Sequence, residues 1–267
     1  MKITPPIIKK KKGKEKITAL TAYDYPTAIA LDRAGIDIIL VGDSLAMVVL
    51  GEETTLKATM EIMLHHLRAV TKGVKKALVA VDMPFGSYHT SEEIAVENAI
   101  RMIREGDAEA VKIEGVEGKE RIIEKIVKAE IPVIGHIGLT PQSVIKMGGY
   151  KIQGKTEEEI KKLIEQAKTL ENLGAFSIVL ESIPEETAKE ITGSVEIPTI
   201  GIGAGRFCDG QILVLHDLIG LNYDKVPSFV REYANIKGMI EKAVKNYISD
   251  VKNEKFPSEK EVFFLKK

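Results

Sequence analysis

Short runs of β-branched and other apolar residues alternate with amphipathic stretches along most of this chain. A short apolar run predicts a buried strand, whereas apolar positions three and four apart predict a helix that covers it. The pattern predicts eight strands, at residues 17–24, 36–43, 77–83, 110–114, 132–137, 176–182, 198–203 and 211–215. It predicts helices between them at residues 26–35, 59–73, 91–106, 119–130, 156–174 and 185–193.

This alternation of strands and helices indicates the fold class. Eight strands in βα order within about 250 residues, without a Pro- or Ser-rich linker, favour a single α/β domain folded as a (β/α)8 barrel. Only a few residues separate the last two strands, so that connection is irregular or the eighth strand lies elsewhere. We expect one domain over residues 1–267, with the barrel at about 17–225 and a C-terminal helix and tail at about 228–267.

The two ends of the chain give weaker signals. The basic run 9–12, followed by Lys14 and Lys16, is most simply a solvated arm. At the other end, residues 228–251 have a helical pattern, and Phe263, Phe264 and Leu265 in the tail need a surface to cover them. A neighbouring subunit and the chain's own barrel are both possible surfaces.

Composition narrows the class of partner. The 267 residues are 44% hydrophobic and include one cysteine, Cys208, so a core can form without disulfides and a reducing compartment is expected. A net charge of −1 gives no attraction to nucleic acid or anionic membranes. Because no apolar segment is long enough for a signal peptide or a membrane span, we expect a cytoplasmic protein that binds small molecules.

Acidic residues stand at the ends of several predicted strands, where (β/α)8 barrels place their reactive groups. Asp43, Asp82 and Glu114 end the second, third and fourth strands, and each follows an apolar run. If they face the barrel interior, their charges converge and require a cation. Carboxylates alone favour Mg²⁺, then Mn²⁺, over Zn²⁺. The alternative for each residue is a solvent-facing helix cap.

Lys112 lies on the same face of the fourth strand as Glu114, because side chains two apart along a strand point the same way. Three roles remain open for it. It could form a buried ion pair with Glu114, form a Schiff base with a carbonyl substrate, or offer a fixed positive charge to a substrate carboxylate.

Two further residues are candidates for proton transfer. Glu181 ends the sixth strand, where a partly desolvated carboxylate could act as a general base or orient a neighbouring group. His136 ends the fifth strand between glycines that let a ligand approach, and it is as consistent with a structural role as with a catalytic one.

Several longer strings carry a family resemblance that runs from about residue 3 to residue 252. They are TAYDYPTA (21–28), VGDSLAMVVLG (41–51), VDMPFGSY (81–88), VKIEG (111–115), GHIGLTPQS (135–143), GGYKIQG (148–154), VLES (179–182) and IGIGAGRFCDGQILV (200–214). Together they resemble the ketopantoate hydroxymethyltransferase family. The resemblance implies a barrel of the phosphoenolpyruvate/pyruvate type that binds Mg²⁺ and assembles as a homodecamer or another large homo-oligomer.

The resemblance also implies a reaction. A one-carbon unit passes from 5,10-methylenetetrahydrofolate to 3-methyl-2-oxobutanoate through a magnesium-bound enolate, which gives 2-dehydropantoate (ketopantoate) for pantothenate and coenzyme A biosynthesis. Glu181 is the implied base, and Asp43, Asp82 and Glu114 are the implied metal-binding residues, with Glu114 on the ion or its water. The implied substrate-binding residues are Asp43, Ser44, Asp82, Lys112 and His136.

Two other functions compete with this one. The related barrels include metal-dependent C–C lyases and phosphonomutases, but those lyases typically carry a reactive cysteine in the loop after the fourth strand, and residues 115–119 contain none. A non-catalytic barrel that binds 2-oxo acids would be expected to have lost some of the acids, whereas all four are present.

Overall fold

The computed structural model describes residues 1–223 and 226–265. The predicted barrel limit at residue 225 and the last two residues of the predicted tail therefore lie outside the described residues. The chain divides into two compact units, Met1–Leu215 and His216–Lys267.

The first unit is a closed barrel of eight parallel strands in sequential order, so the predicted (β/α)8 fold is confirmed. The first and last strands pair with each other, for example Ala19 with Ile212, which closes the sheet. The strands are β1 (Ile17–Thr21), β2 (Ile38–Val41), β3 (Leu78–Asp82), β4 (Ala110–Glu114), β5 (Val133–Gly138), β6 (Ser177–Glu181), β7 (Thr199–Ile202) and β8 (Gly210–Leu213).

Helices follow most of the strands. They are α1 (Pro5–Lys10), α2 (Tyr25–Ala34), α3 (Leu45–Val48), α4 (Met60–Gly73), α5 (Glu92–Gly106), α6 (Glu120–Lys128), α7 (Val144–Met147), α8 (Glu157–Asn172), α9 (Glu185–Gly193), α10 (Leu215–Leu218) and α11 (Ile236–Lys252). The described part of the chain also contains 3₁₀ turns at Thr55–Lys57, Pro141–Ser143 and Glu259–Glu261. Residues 203–209 are all described and contain no helix, so the connection between β7 and β8 is irregular, one of the two predicted possibilities.

Local sequence explains where the long outer helices begin. The side chains of Asp24, Thr59, Ser91 and Thr156 each accept a backbone N–H from the first turn of α2, α4, α5 and α8. Such caps satisfy amides that have no partner inside the helix. At Thr156, Glu159 returns a hydrogen bond to the cap and completes a capping box.

The N-terminal segment is not a solvated arm, so that prediction was wrong. Ile8 of α1 is fully buried and packs with inward-facing residues of the barrel strands. Lys11 pairs with Asp37 at 2.7 Å, and Lys12 pairs with Asp209 at 2.9 Å. Both acids precede a strand, so α1 closes the N-terminal end of the barrel and leaves the other end for chemistry.

Every second side chain along a strand points into the barrel, because a pleated strand alternates its faces. Ala80 on β3, Ala110 on β4, Ile134 on β5 and Val179 on β6 belong to the apolar cluster inside the barrel. The next inward positions along these four strands are Asp82, Lys112, His136 and Glu181. The interior therefore changes from apolar to polar towards the C-terminal ends of the strands.

The second unit contains α11, which begins at Ile236 rather than at the predicted residue 228. The side chain of Asn235 caps the helix by accepting the N–H of Gly238, whereas the segment with Pro227 and Ser228 stays outside it. Among the described residues, no helix combines the length and the apolar composition needed to cross a membrane.

Candidate active site

Three carboxylates from neighbouring strands meet at the C-terminal end of the barrel. Asp82 ends β3, Glu114 ends β4, and Asp43 lies two residues beyond β2. All three are buried, with 2–3% of their surface exposed. The backbone N–H of Asp43 donates to Oδ2 of Asp82 across 3.0 Å, which ties the first two acids together.

Gly42 leaves room for the Ser44 side chain beside the two aspartates. A Cβ atom at Gly42 would lie 2.8 Å from Oγ of Ser44 and 3.4 Å from Oδ2 of Asp82. The first distance is far inside van der Waals contact, so a side chain here would displace Ser44 from its place beside the acids.

Lys112 supplies the positive charge next to the acids. Its Nζ lies 2.5 Å from Oδ1 of Asp82 and 3.8 Å from Oε1 of Glu114, and the residue is 5% exposed. Burial alone lowers the pKa of Lys112, but the neighbouring carboxylates outweigh burial and raise the pKa above its usual range. The amine is therefore a fixed ammonium group rather than a nucleophile, which argues against a Schiff base.

Asp43 and Glu114 differ in how readily they ionise. Burial, together with the charges of Asp82 and Glu114, holds the pKa of Asp43 well above its usual range. Burial also opposes ionisation of Glu114, but His136, Lys112 and a backbone N–H outweigh it and lower the pKa of Glu114. Of these two carboxylates, Asp43 is the one whose charge the protein itself compensates less.

His136 lies between two carboxylates. Its Nδ1 is 3.4 Å from Oε1 of Glu114, and its Nε2 is 3.2 Å from Oε2 of Glu181. Neither nitrogen has an aligned hydrogen bond, so these contacts are mainly electrostatic. Burial and Lys112 lower the pKa of His136, but the two glutamates dominate and raise it to about 9. The imidazole is therefore cationic at neutral pH and links Glu181 to the group around Glu114.

Ser44 occupies the start of α3 beside the acids. Its Oγ lies 2.8 Å from the hydroxyl of Tyr23, which is buried. Burial first, and then the charges of Asp82 and Asp43, raise the pKa of Tyr23, so its hydroxyl stays neutral. Tyr23 lies in one of the family strings, but no local pattern in the sequence indicated its contact with Ser44.

Sequence reasoning missed two buried residues that contact the acids. Gln142, in the 3₁₀ turn after β5, donates from Nε2 to Oδ2 of Asp43 across 2.8 Å. The hydroxyl of Tyr88 donates to Oε1 of Gln142 across 2.6 Å. Both residues lie inside the quoted family strings, but a glutamine in a predicted loop gives no separate signal of burial.

The carboxylates at this site fit a divalent ion that also takes water and substrate oxygens as ligands. The described residues contain no group of three or more His, Cys, Asp or Glu side chains placed to surround an ion by themselves. Mg²⁺ commonly takes one or two protein carboxylates and completes its shell with water and substrate oxygens. Asp43 and Asp82, which the Asp43 N–H joins, provide such a pair, and Glu114 lies beside them with its oxygens facing His136 and the backbone N–H of Gln142.

The charge balance also fits a divalent cation. Four carboxylates (Asp43, Asp82, Glu114 and Glu181) lie along a chain of contacts with two basic groups, Lys112 and His136. With the histidine protonated, the three buried carboxylates (Asp43, Asp82 and Glu114) exceed the two buried basic groups by one, and the raised pKa of Asp43 marks it as an acid whose charge lacks a partner. Buried charge of this kind needs compensation.

Comparison with known proteins identifies a family. Residues 2–259 match the profile described as ketopantoate hydroxymethyltransferase. A 3-methyl-2-oxobutanoate hydroxymethyltransferase of Thermoanaerobacter sp. (strain X514) is 55% identical over 258 residues, covering 97% of this chain and 94% of that protein. One of the same name from Clostridium kluyveri is 58% identical over 253 residues, covering 95% and 90%.

Solved structures share the architecture at low sequence identity. A 2,3-dimethylmalate lyase described as a PEP mutase/isocitrate lyase superfamily member has a TM-score of 0.63 at 16% identity, covering 98% of this chain and 92% of that chain. A phosphonopyruvate hydrolase in complex with oxalate and Mg²⁺ has a TM-score of 0.61 at 13% identity, with the same coverage of both chains. At these identities the likeness concerns the fold alone.

Proposed function

We infer the roles of the buried residues from the family to which this chain belongs, the ketopantoate hydroxymethyltransferase family. The chain accordingly transfers a hydroxymethyl group to 3-methyl-2-oxobutanoate and forms ketopantoate in pantothenate synthesis. As the donor we propose 5,10-methylenetetrahydrofolate, on the strength of the family strings in the sequence.

Asp43 and Asp82 are the residues we propose as direct ligands of a divalent ion, Mg²⁺ or Mn²⁺, with Glu114 hydrogen-bonded to its water. The observation that carries this proposal is the excess of buried carboxylates over basic groups. When bound, such an ion supplies a positive charge that polarises the 2-oxo group and makes the adjacent C–H bond more acidic. The Mg²⁺ and oxalate of the phosphonopyruvate hydrolase, which has a similar fold, agree with this choice of ion.

Lys112 and Ser44 are the proposed partners of the substrate carboxylate. Lys112 keeps its proton because Asp82 and Glu114 surround it, so it offers a permanent positive charge. The Ser44 hydroxyl is oriented by its 2.8 Å contact with Tyr23. A positively charged group and an oriented hydroxyl fix a carboxylate by charge and by direction.

Glu181 is the proposed general base, which removes the proton from C3 of 3-methyl-2-oxobutanoate. Its side chain is 16% exposed while that of His136 is 1% exposed, so Glu181 is the more accessible member of the pair. Protonated His136, with Nε2 at 3.2 Å from Oε2 of Glu181, holds that carboxylate in place at the end of β6.

Deuterium exchange at C3 of 3-methyl-2-oxobutanoate tests the base directly, because it requires proton removal but no pterin. The substitution Glu181→Gln should abolish metal-dependent exchange while leaving metal binding close to normal. Glu117→Gln is the matched control, since Glu117 pairs with Lys162 at the surface and its side chain is 57% exposed. Full exchange by the Glu181→Gln protein would remove Glu181 from the role of base.

We also propose a large homo-oligomer, a homodecamer as the family strings imply, located in the cytoplasm and built from single-domain subunits. Helix α11 supports assembly because none of its residues is buried, although Met239, Val244, Ile248 and Val251 are apolar. Light scattering after size exclusion should give about ten times the subunit mass of 29.4 kDa. A monomeric mass would contradict the proposal.

The alternative of a C–C lyase or phosphonomutase is not favoured. The lyase of similar fold is 16% identical to the chain, whereas the hydroxymethyltransferases are 55–58% identical. The alternative of a non-catalytic barrel conflicts with the family assignment and with a complete set of four acids linked through Lys112 and His136.

A further inference from the structure

Gln142 forms hydrogen bonds through both polar atoms of its side-chain amide and through its backbone N–H. It is 5% exposed, and its Nε2 donates to Oδ2 of Asp43 at 2.8 Å and to the carbonyl of Met83 at 2.9 Å. Its Oε1 accepts the Tyr88 hydroxyl at 2.6 Å, and its backbone N–H donates to Oε2 of Glu114 at 2.9 Å. One residue thus contacts two of the three clustered acids through two different groups.

The surroundings fix the orientation of this amide. The Met83 carbonyl beside Nε2 can only accept a hydrogen bond, and Oδ2 of Asp43 accepts a second one from the same nitrogen. The opposite orientation would bring the amide oxygen against two other oxygens. Tyr88, which is fully buried, donates to the amide oxygen and favours the same orientation.

We propose, building on the proposed function, that Gln142 is a positioning residue that holds the carboxylates of Asp43 and Glu114 in the arrangement required for divalent-ion binding. A neutral donor suits this position for a reason of charge. A glutamate would add a further negative charge beside Asp43, and a lysine would neutralise the charge that attracts the ion. An amide orients the carboxylate oxygen and leaves its charge in place.

Tyr88 acts through Gln142 in this arrangement. Its hydroxyl accepts the backbone N–H of Glu114 at 3.4 Å and donates to Oε1 of Gln142. The end of β4 and the segments after β2, β3 and β5 are therefore joined by hydrogen bonds that meet at one glutamine. Removing the hydroxyl in Tyr88→Phe should loosen the amide without removing any atom that contacts Asp43.

The experiment measures Mn²⁺ affinity without substrate, by electron paramagnetic resonance, in the full-length wild type and in Gln142→Met, Tyr88→Phe and Gln166→Met. Methionine keeps the length of glutamine but lacks its donors. Gln166 is the matched control because its Nε2 also donates to a glutamate, Glu117 at 3.3 Å, outside the barrel interior. Melting temperatures in EDTA accompany each affinity.

We expect Gln142→Met to bind Mn²⁺ about tenfold to hundredfold more weakly, as is typical when a partner of a metal ligand is lost. Tyr88→Phe should weaken binding in the same direction by less, and it provides the test if Gln142→Met does not fold. Gln166→Met should match the wild type. Because Tyr88 acts through Gln142, adding Tyr88→Phe to Gln142→Met should weaken binding little further.

Two results would overturn the inference in distinguishable ways. If the wild type binds Mn²⁺ and both site variants bind it equally well, even with lowered melting temperatures, Gln142 serves stability alone and the positioning role is refuted. If the wild type itself binds no Mn²⁺, the proposed metal site fails, and the positioning role fails with it.

Discussion

Replacing Lys112 by methionine would test the electrostatic account of the site through protein stability. The substitution keeps an unbranched side chain of similar length but removes the ammonium group that lies 2.5 Å from Asp82 and 3.8 Å from Glu114. Breaking a buried ion pair by removing one partner costs about 3–5 kcal/mol, because the remaining charge has lost its compensation. In a barrel of this size we expect a fall in melting temperature of roughly 6–20 °C.

The assay is thermal unfolding in EDTA at pH 8, followed by circular dichroism. The neighbouring carboxylates outweigh burial and raise the pKa of Lys112, so its stabilising effect is fully present below the pKa of an unfolded lysine, about 10.4. A pH of 8 lies inside that window. The control is Lys162→Met, which breaks a 2.7 Å pair with Glu117 whose side chains are 56% and 57% exposed. That change should cost about 1 kcal/mol or less.

The comparison of the two variants can contradict this electrostatic account of Lys112. If Lys112→Met and Lys162→Met melt at the same temperature as the wild type in EDTA, the buried acids need no compensation from Lys112. The charge argument for a divalent ion would then lose its support as well.

Two other changes give separate tests. Because Glu114 and Glu181 raise the pKa of His136 to about 9 despite burial, its stabilising effect is complete below the unfolded value of about 6.5 and is lost as the pH rises through 9. We therefore compare the unfolding free energies of the wild type and His136→Gln in EDTA. The difference should be on the order of 3 kcal/mol at pH 6 and should shrink towards pH 9.5. A difference that stays constant with pH would contradict this account of His136. Ile8→Ala should lower the free energy of unfolding by about 2–5 kcal/mol, measured by urea denaturation, with activity at 25 °C retained because Ile8 lies at the opposite end of the barrel. Unchanged stability would show that α1 contributes nothing to the core.

Local sequence was sufficient to predict the barrel and the inward acids, because both depend on short-range periodicity. A strand alternates its faces every residue, so Lys112 and Glu114 had to share a side once β4 was assigned. Parallel order brought Asp82 and Glu114 to the same end of the barrel. A capping residue such as Thr156 allowed the first residue of a helix to be predicted to within one or two positions.

Tertiary structure decided which groups the acids contact. Gln142 and Asp43 are 99 residues apart, and no periodicity relates a turn after β5 to the end of β2. The burial of Ile8 was equally invisible, because a short apolar segment beside a run of lysines has the local pattern of an exposed arm. The periodic pattern determined where each side chain points, since that depends on backbone geometry over a few residues, whereas the partners of Asp43 and Ile8 depend on the closure of the whole barrel.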